Sequence, residues 1–302
     1  MRNCFFKRSV PDDESYRNYN RNNMFSVQPE IERQISQNMY ISNLWKSKFS
    51  SPIEQNLKVG GYRILDVGCG SGIWLLELAR MYPNNEYYGV DVTPLFPTDN
   101  LPGNVQFFSA NVLYDLPFEA FTFDFVHQRF LVRNFNTKQW QTIIGELTRV
   151  TKPHGFIEIM EMDLTPYCQG PTTKKLFEAF LSALHARGIS PVIKPLLQRT
   201  LESNGSLVSV KTEAKICPVG EWGGIKYLEI GLPILKLMKK HNLEFMSITP
   251  TEYDELLQTY EREVYEYETF IRTYRFYAQR IQPKFYRQSY QSYISNIGFT
   301  KI

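Results

Sequence analysis

The stretch ILDVGCGSGIWLLELAR, residues 64–80, decides the fold of this 302-residue chain. Branched apolar residues lead into it, glycines follow at every second position (Gly68, Gly70 and Gly72), and an almost wholly apolar segment of helical length leaves it. This order predicts a buried strand, a glycine-rich turn and a helix. Turns of this kind bind nucleotide-like ligands, because glycine lets the backbone come close to the ligand.

Strand and helix signals alternate around and after this stretch. Strands are predicted at YRILDV, EYYGVDV, VQFFSA, FDFVHQ and FIEIMEM. Between the last two, apolar residues at helical spacing from Trp140 to Val150 predict a helix, which the turn at residues 152–155 closes. With two more strands near the C-terminus, we expect an α/β fold: a doubly wound, Rossmann-like, seven-stranded, mostly parallel sheet with helical cap insertions.

The chain divides into a tail and one domain. Residues 1–27 are rich in Asn, Arg, Asp and Ser without a sustained period, so we expect a disordered tail there. The boundaries expected within the domain at 28–302 are a core at about 60–163, cap insertions at about 164–206 and 218–267, and strands at about 207–217 and 269–281.

Two helical segments carry specific expectations. The first, over residues 30–49, precedes the first strand, and we expect an amphipathic helix with its apolar side chains on one face. The side chains of that face are Ile31, Ile35, Met39, Leu44, Trp45 and Phe49. The second runs from about 224 to 242, and we expect it to kink or break at Pro233.

Composition excludes several classes of protein. The 34 basic and 31 acidic residues are mixed along the chain, and a net charge of +3 is too small to favour a nucleic-acid or membrane partner. Four cysteines without CxxC spacing and four scattered histidines predict neither a metal site nor disulfides, which favours a reducing compartment. We find no leader pattern and no uninterrupted apolar stretch of eighteen residues, so we expect a cytoplasmic protein, with the nucleus as the alternative.

The glycine spacing separates two kinds of nucleotide-like ligand. Asp66 and the three glycines spell DxGxGxG, whereas a dinucleotide-binding turn requires GxGxxG. The third glycine of that second pattern is Ile73 here, so a bound pyrophosphate is not favoured. Asp91 ends the next predicted strand, where a carboxylate can accept hydrogen bonds from both hydroxyls of a ribose. A ribose also occurs in NAD, so only the glycine spacing discriminates between the two.

These motifs resemble those of class I S-adenosylmethionine-dependent methyltransferases. ILDVGCGSG matches the first motif of that family, YYGVD is similar to the second, and VQFFSANVLYDLPFEAFTFDFVHQRF to the third region. The segments GCGSGIW, FDFVHQR, KPHGFIEIME and VGEWGG resemble the fungal LaeA-like branch, also called UMTA-type. The resemblance covers residues 62–163 at least, and roughly 30–280 with the later segments.

The resemblance implies S-adenosylmethionine as cofactor and assigns contacts to it. The expected contacts are Asp66 and the backbone of Gly68, Cys69, Gly70 and Gly72 to the methionine part, Asp91 to the ribose, and Asn111 with its neighbour Val112 near the adenine. The family usually has an aspartate in place of Asn111. The amide oxygen can still accept from the adenine amino group, but the amide NH2 adds donors.

Residues that could act on the methyl acceptor are fewer. The resemblance places His127 at the end of the fourth strand, beside the methyl group, where it could serve as a base; a core histidine is the alternative. Glu161 could reach the pocket or be a solvated or paired carboxylate. Glu158, three residues earlier, is expected on the opposite face or on the other side of the strand end. Arg129 is expected to pair with a carboxylate rather than to contact substrate. HQRF replaces the Asn/Asp-Pro-Pro-Tyr motif of amino-group nucleic-acid methylases, which disfavours DNA adenine methylation.

The resemblance therefore predicts an enzyme that transfers methyl groups from S-adenosylmethionine to a small molecule or, as a weaker alternative, to a protein side chain. A LaeA-like regulatory protein that binds the cofactor and acts through protein partners is the main alternative. A nicotinamide-dependent dehydrogenase is disfavoured by Ile73, and an RNA methylase by the missing basic surface.

Overall fold

The computed structural model describes residues 27–220, 222 and 227–282. The strands in this part of the chain are β1 (Arg63–Val67), β2 (Glu86–Asp91), β3 (Val105–Ser109), β4 (Phe123–Arg129), β5 (Thr151–Met162), β6 (Leu207–Pro218) and β7 (Phe270–Arg280). The helices there are α1 (Val27–Trp45), α2 (Glu54–Val59), α3 (Ile73–Met81), α4 (Gln139–Val150), α5 (Pro171–Ala186), α6 (Lys194–Glu202), α7 (Leu228–Leu237), α8 (Lys239–Met246) and α9 (Pro250–Glu266).

The strands form one sheet in the order β3-β2-β1-β4-β5-β7-β6. Strands β1 to β5 pair in parallel, and β7 runs antiparallel to both of its neighbours, β5 and β6. The predicted doubly wound, mostly parallel sheet is confirmed. The glycine-rich turn after β1 lies at the carboxyl edge of the sheet between the ends of β2 and β4, where open α/β sheets bind ligands.

Apolar side chains cover both faces of the sheet. Helix α3 packs Trp74 and Leu78 with Ile64 on one face, while Trp140 and Ile143 of α4 belong to the cluster on the other. Because β1 is buried on both sides, its residues from Ile64 to Val67 are all apolar except Asp66. This burial explains why the strand could be recognised from the sequence.

The turn predicted at residues 152–155 lies inside β5 as an irregularity of the ladder. Phe123 of β4 pairs with Thr151, and Phe125 pairs with Phe156, so a step of two residues on β4 faces a step of five on β5. The extra residues leave the ladder with His154 at φ 66°. The helix before it, α4, is where the sequence predicts it.

The predicted amphipathic helix over residues 30–49 is α1, which ends at Trp45, and the predicted apolar face is buried only in part: Trp45 is buried and Leu44 packs against the core. Ile35 and Met39 are 37% and 59% exposed, whereas the buried side chains of the helix are Asn38, Tyr40, Ile41 and Trp45. The buried face contains polar side chains because α1 lies against charged groups at the carboxyl edge of the sheet, so apolar periodicity alone does not identify this face. Asn38, for example, bonds to Glu77 and Arg129.

Both long connections leave the sheet at its carboxyl edge. β5 ends there at Met162, and β6 ends there at Pro218 because both strands run antiparallel to β7. Helices α5 and α6 follow the first, and α7 to α9 belong to the second. A kink or a break was predicted at Pro233. The break was wrong, because α7 continues through this residue and the helix is interrupted at Met238 instead, and the kink stays a prediction.

Some predictions lie outside the described residues. These are the tail up to residue 26, the Gly223 and Gly224 part of VGEWGG, and the helix start at 224. Trp222 is described, and its indole N–H donates to the backbone oxygen of Thr269 at 3.1 Å. None of the described helices combines the length and the apolar character needed to cross a bilayer.

Candidate functional site

The turn between β1 and α3 depends on glycine backbone conformation. Gly68, Gly70 and Gly72 have φ angles of 70°, 55° and 72°, in the left-handed region that side chains with a Cβ rarely adopt. A Cβ atom at Gly68 would lie 2.6 Å from Leu131, one at Gly70 would overlap Oε1 of Gln34, and the third would overlap the ring of Phe107. Any substitution of these glycines is therefore both strained and crowded.

The backbone N–H groups of the turn are held by β2 and α1. The N–H groups of Gly68 and Cys69 both donate to the oxygen of Val90, at 2.8 and 3.0 Å. The N–H of Ser71 donates to Oε1 of Gln34 at 2.8 Å. The Cys69 thiol is buried, and burial raises its pKa well above the usual range. The Cys69 thiol is therefore uncharged, and the residue helps to fix the turn through its backbone N–H. Its contact with a cofactor stays a prediction.

Asp91, at the end of β2, joins its strand to the glycine turn. Its Oδ2 accepts the N–H of Gly70 at 2.8 Å, and its Oδ1 accepts the N–H of Thr93 at 2.9 Å. Burial raises the pKa of this carboxyl to about 6, although the hydrogen bonds act in the opposite direction. Each oxygen keeps a lone pair, so the carboxylate can still accept the ribose hydroxyls predicted from the sequence.

Asn111 and Val112 follow β3 at the same edge. The Oδ1 of Asn111 accepts the N–H of Leu113 at 3.0 Å, which fixes the amide in a local turn. Val112 is 6% exposed and packs in the core. The register pairs Asp91 with Ser109, so Asn111 stands two residues beyond the strand position beside Asp91. The adenine contacts of both residues stay predictions.

Asp66 and His127 form a buried pair below the glycine turn. Oδ1 of Asp66 and Nδ1 of His127 are 2.8 Å apart, and each residue is 1% exposed. The His127 ring also stacks on Trp74 at 3.8 Å. The prediction that His127 ends the fourth strand was wrong, because β4 continues to Arg129 and His127 lies inside the sheet. Its role as a base, like the contact of Asp66 with the cofactor, stays a prediction.

Arg129 takes the position at the end of β4. Its guanidinium donates to Oδ1 of Asn38 at 3.0 Å, and Asn38 in turn donates to Oε2 of Glu77 at 2.7 Å. Glu77 also pairs with Lys48. This network connects α1, α3 and β4 around the glycine turn. The predicted direct pairing of Arg129 with a carboxylate was wrong, because Asn38 lies between its guanidinium and Glu77.

Glu158 and Glu161 are both buried and both engaged by the backbone. Glu161 accepts the N–H groups of Leu131 and Val132 at 2.7 and 3.2 Å, and burial raises its pKa to about 8. Glu158 accepts the N–H groups of Ser50 and Ser51. The alternative for Glu161, a solvated or paired carboxylate, is therefore confirmed only in part: the group has hydrogen-bond partners, and it is not solvated.

Sequence reasoning missed the polar face of α1. Glu30, Gln34 and Asn38 recur every four residues, and this stripe faces the site. Gln34 holds the turn, and Glu30 binds Arg33 at 2.7 Å. The four-residue spacing of these polar residues was the signal that could have identified the buried face of the helix.

Comparison with known protein sequences places the chain beside methyltransferases. Residues 64–155 match the family described as a methyltransferase domain. N-methyltransferase verN of Clonostachys rogersoniana is 33% identical, over 49% of this chain and 52% of the relative. The secondary metabolism regulator laeA of Coprinopsis cinerea is 31% identical, over 46% of this chain and 35% of the relative. The chain thus spans about half the length of the first curated relatives that it matches.

Solved structures give more distant matches. A methyltransferase from Methanosarcina mazei shares 18% identity with a TM-score of 0.47, over 78% of this chain and all of that one. A phosphoethanolamine N-methyltransferase of Haemonchus contortus, solved with S-adenosyl-L-methionine, shares 17% identity with a TM-score of 0.44, over 74% of this chain and 49% of that one.

Proposed function

Because this chain belongs to the class I S-adenosylmethionine-dependent methyltransferases, in their fungal LaeA-like branch, we propose that it transfers a methyl group from S-adenosylmethionine to a small-molecule acceptor. The observation that carries this proposal is the glycine turn between β1 and α3, which has three left-handed glycines and whose Gly70 N–H donates to the carboxylate of Asp91. The acceptor and the activity of the whole protein are part of the proposal.

The residues at the turn fit an adenosyl ligand without phosphates. The position where a dinucleotide-binding turn has its third glycine is occupied by Ile73, the first residue of α3. The hydroxyl of Ser71 is buried in the turn without a hydrogen-bond partner in the described part of the chain, so it is available to a polar ligand group. Asp91 supplies acceptors at the next strand end. We therefore assign the ribose to Asp91, the adenine side to Asn111 and Val112, and the methionine part to the turn.

Bound S-adenosylmethionine supplies an activated methyl group on a sulfonium, with a neutral thioether as leaving group. The protein's task is then to orient the acceptor and to exclude water, which can contribute several kcal/mol (about 7 or more in favourable cases). Helix α1 lies over the turn through the Gln34–Ser71 bond. We assign the helices of the two long connections to a cap over the same edge, whose underside selects the acceptor.

We assign a positioning role in this site to the buried Asp66–His127 pair. The hydrogen bond fixes the orientation of the His127 ring, and stacking on Trp74 fixes its plane. Both residues lie in the paired strands β1 and β4, whose ends carry the glycine turn and Arg129. We therefore expect the pair to hold the floor of the site, and we retain proton transfer by His127 as the alternative.

A regulatory protein is the second candidate function. It is favoured by the relatives named as secondary metabolism regulators, among them laeA of Coprinopsis cinerea. In that case the chain would bind the cofactor and act through a protein partner. The two candidates differ in whether a methylated small molecule is formed.

Transfer of labelled methyl groups tests the proposal. The purified chain is incubated with methyl-labelled S-adenosylmethionine and a fungal cell extract, and label is measured separately in the small-molecule and protein fractions. Gly70→Ala should abolish labelling, because alanine is strained at a φ of 55° and its Cβ would displace the Gln34 side chain that accepts the Ser71 N–H. Gly145→Ala, where a Cβ meets nothing within 4 Å, is the matched control. Label in protein only would overturn the small-molecule assignment, and no label in either fraction would favour the regulatory candidate.

A further inference from the structure

Arg133 lies in the segment that connects β4 to α4, next to the glycine turn. Two residues before it, the side chain of Leu131 stands against Gly68. The N–H groups of Leu131 and Val132 are fixed by Glu161, which anchors the backbone immediately before Arg133. The Arg133 side chain is half-buried at the carboxyl edge of the sheet. It therefore stands close to where the proposed methyl transfer takes place.

The charges around Arg133 do not cancel. Its charged or polar neighbours, which with Arg133 we call the Arg133 cluster, are Glu30, Arg33, Glu161 and Tyr227. Glu30 is committed to Arg33, with N–O distances of 2.7 and 2.8 Å. Glu161 accepts two backbone N–H groups, and burial raises its pKa to about 8, so it is mostly protonated at neutral pH. The cluster therefore carries about one net positive charge, located on Arg133.

The guanidinium of Arg133 has no dedicated partner. Among residues 27–220, 222 and 227–282, no side chain or backbone oxygen forms a hydrogen bond or ion pair with it. A guanidinium has five N–H donors, and a half-buried one without acceptors is costly. Burial lowers its pKa from the usual range, which reflects the same cost. Other buried arginines of the chain are engaged: Arg275, for example, donates to Ser47.

The wall beside the cluster is aromatic and apolar. Tyr227 and Tyr40 are 6% and 4% exposed, and their ring centroids are 5.0 Å apart. The Tyr227 hydroxyl is directed to the sulfur of Met162 at 3.1 Å. These groups offer contact area and few hydrogen bonds, so Arg133 is the group that can select for charge.

We infer that Arg133 anchors a carboxylate group carried by the methyl acceptor. This rests on the proposed function. A guanidinium binds a carboxylate through two parallel N–H···O bonds, and one net positive charge matches a single carboxylate better than a doubly charged phosphate. The cofactor also has a carboxylate in its methionine part, so the experiment must separate these two sources.

Calorimetry on the full chain saturated with S-adenosylhomocysteine tests the inference. The probes are benzoate and 3-phenylpropanoate, each compared with its neutral amide, and phenyl phosphate. We expect the carboxylates to bind about tenfold or more tightly than the amides, as a charge-assisted hydrogen-bonded pair requires, and more tightly than phenyl phosphate. Arg133→Gln should remove this preference, and Arg133→Lys should retain part of it. Arg199→Gln, an exposed arginine on α6, is the matched control and should behave as wild type.

The outcomes separate the sources of the carboxylate. If Arg133→Gln weakens S-adenosylhomocysteine binding about tenfold while its melting curve is unchanged, Arg133 holds the cofactor, and the inference is overturned. Equal binding of carboxylates and amides, no binding of either, or a preference that survives in Arg133→Gln also overturns it. Each of these results leaves the proposed function intact, whereas failure of the wild-type chain to bind S-adenosylhomocysteine defeats the proposed function itself.

Discussion

Nδ1 of His127 lies 2.8 Å from Oδ1 of Asp66, in a part of the sheet where both side chains are 1% exposed. A buried polar group that loses its partner costs about 1–3 kcal/mol, and more when the group is charged. The pair therefore contributes to stability directly beneath the glycine turn. This location favours a positioning role for His127 over a role as base, and the two roles predict different effects of a substitution.

For His127→Asn we expect the free energy of unfolding in urea to fall by about 1–3 kcal/mol, together with weaker binding of S-adenosylhomocysteine. His185→Asn changes an exposed histidine on α5 and should alter neither quantity. If His127→Asn instead keeps wild-type stability and cofactor binding while turnover loses its dependence on pH, His127 is the catalytic base and the positioning role is wrong.

Gln34 should control how firmly α1 closes over the turn. Gln34→Met keeps the length of the side chain but removes the oxygen that accepts the Ser71 N–H. We expect a loss of about 1 kcal/mol in the free energy of unfolding and faster release of S-adenosylhomocysteine in stopped-flow displacement. Gln28→Met alters an exposed residue of the same helix and serves as the control. Unchanged release in Gln34→Met would show that α1 does not cover the ligand.

The carboxyl of Asp91 should make cofactor binding sensitive to mild acid. Burial raises its pKa to about 6, so protonation in the folded chain begins at a higher pH than for an ordinary aspartate. A protonated carboxyl accepts ribose hydroxyls less well. We expect the affinity for S-adenosylhomocysteine to fall as the pH drops from neutral through about 6, whereas Asp91→Asn should bind weakly at every pH. Parallel pH profiles for both proteins would contradict the ribose contact.

Glu161 should make the free energy of unfolding decrease as the pH rises. The pKa of Glu161 is about 8 in the folded chain, whereas that of an ordinary glutamate in the unfolded chain is about 4.3. Between these two pH values the folded chain keeps the proton and the unfolded chain has lost it. The native state binds more protons in that window, so the free energy of unfolding decreases as pH rises through it, on the order of a few kcal/mol. Glu161→Gln should flatten this decrease, and Glu202→Gln, an exposed control, should not. Equal slopes in Glu161→Gln and wild type would rule out a protonated Glu161.

The central strands β1 and β4 could be predicted because they are buried on both faces of the sheet. The residues of β1 are apolar from Ile64 to Val67 except for Asp66. The positions after the strand need positive φ angles, and the sequence shows this by having glycine there. Sequence and structure agree where burial and backbone conformation depend on local residues.

Contacts across the fold could not be read in this way. The face of α1 that packs inward contains Asn38, whose partners Glu77 and Arg129 come from two other elements. Whether Glu161 faces the pocket or has bonded partners could not be decided from the sequence, because its partner, the N–H of Leu131, lies thirty residues earlier in the chain. Nothing in the sequence indicated the role inferred for Arg133. That inference depends on the neighbouring carboxyl groups already being bonded to other residues. Such relationships require the folded chain.

The central claim is that the main chain of the glycine turn, with the Asp91 carboxylate, binds an adenosyl ligand that lacks phosphates. Calorimetric titration of the full chain with S-adenosylhomocysteine, and separately with NAD, tests it most directly. We predict saturable one-to-one binding of S-adenosylhomocysteine that Gly70→Ala removes and Gly145→Ala keeps, and no heat with NAD. Binding of NAD, or no binding of S-adenosylhomocysteine by a folded chain, would contradict the claim.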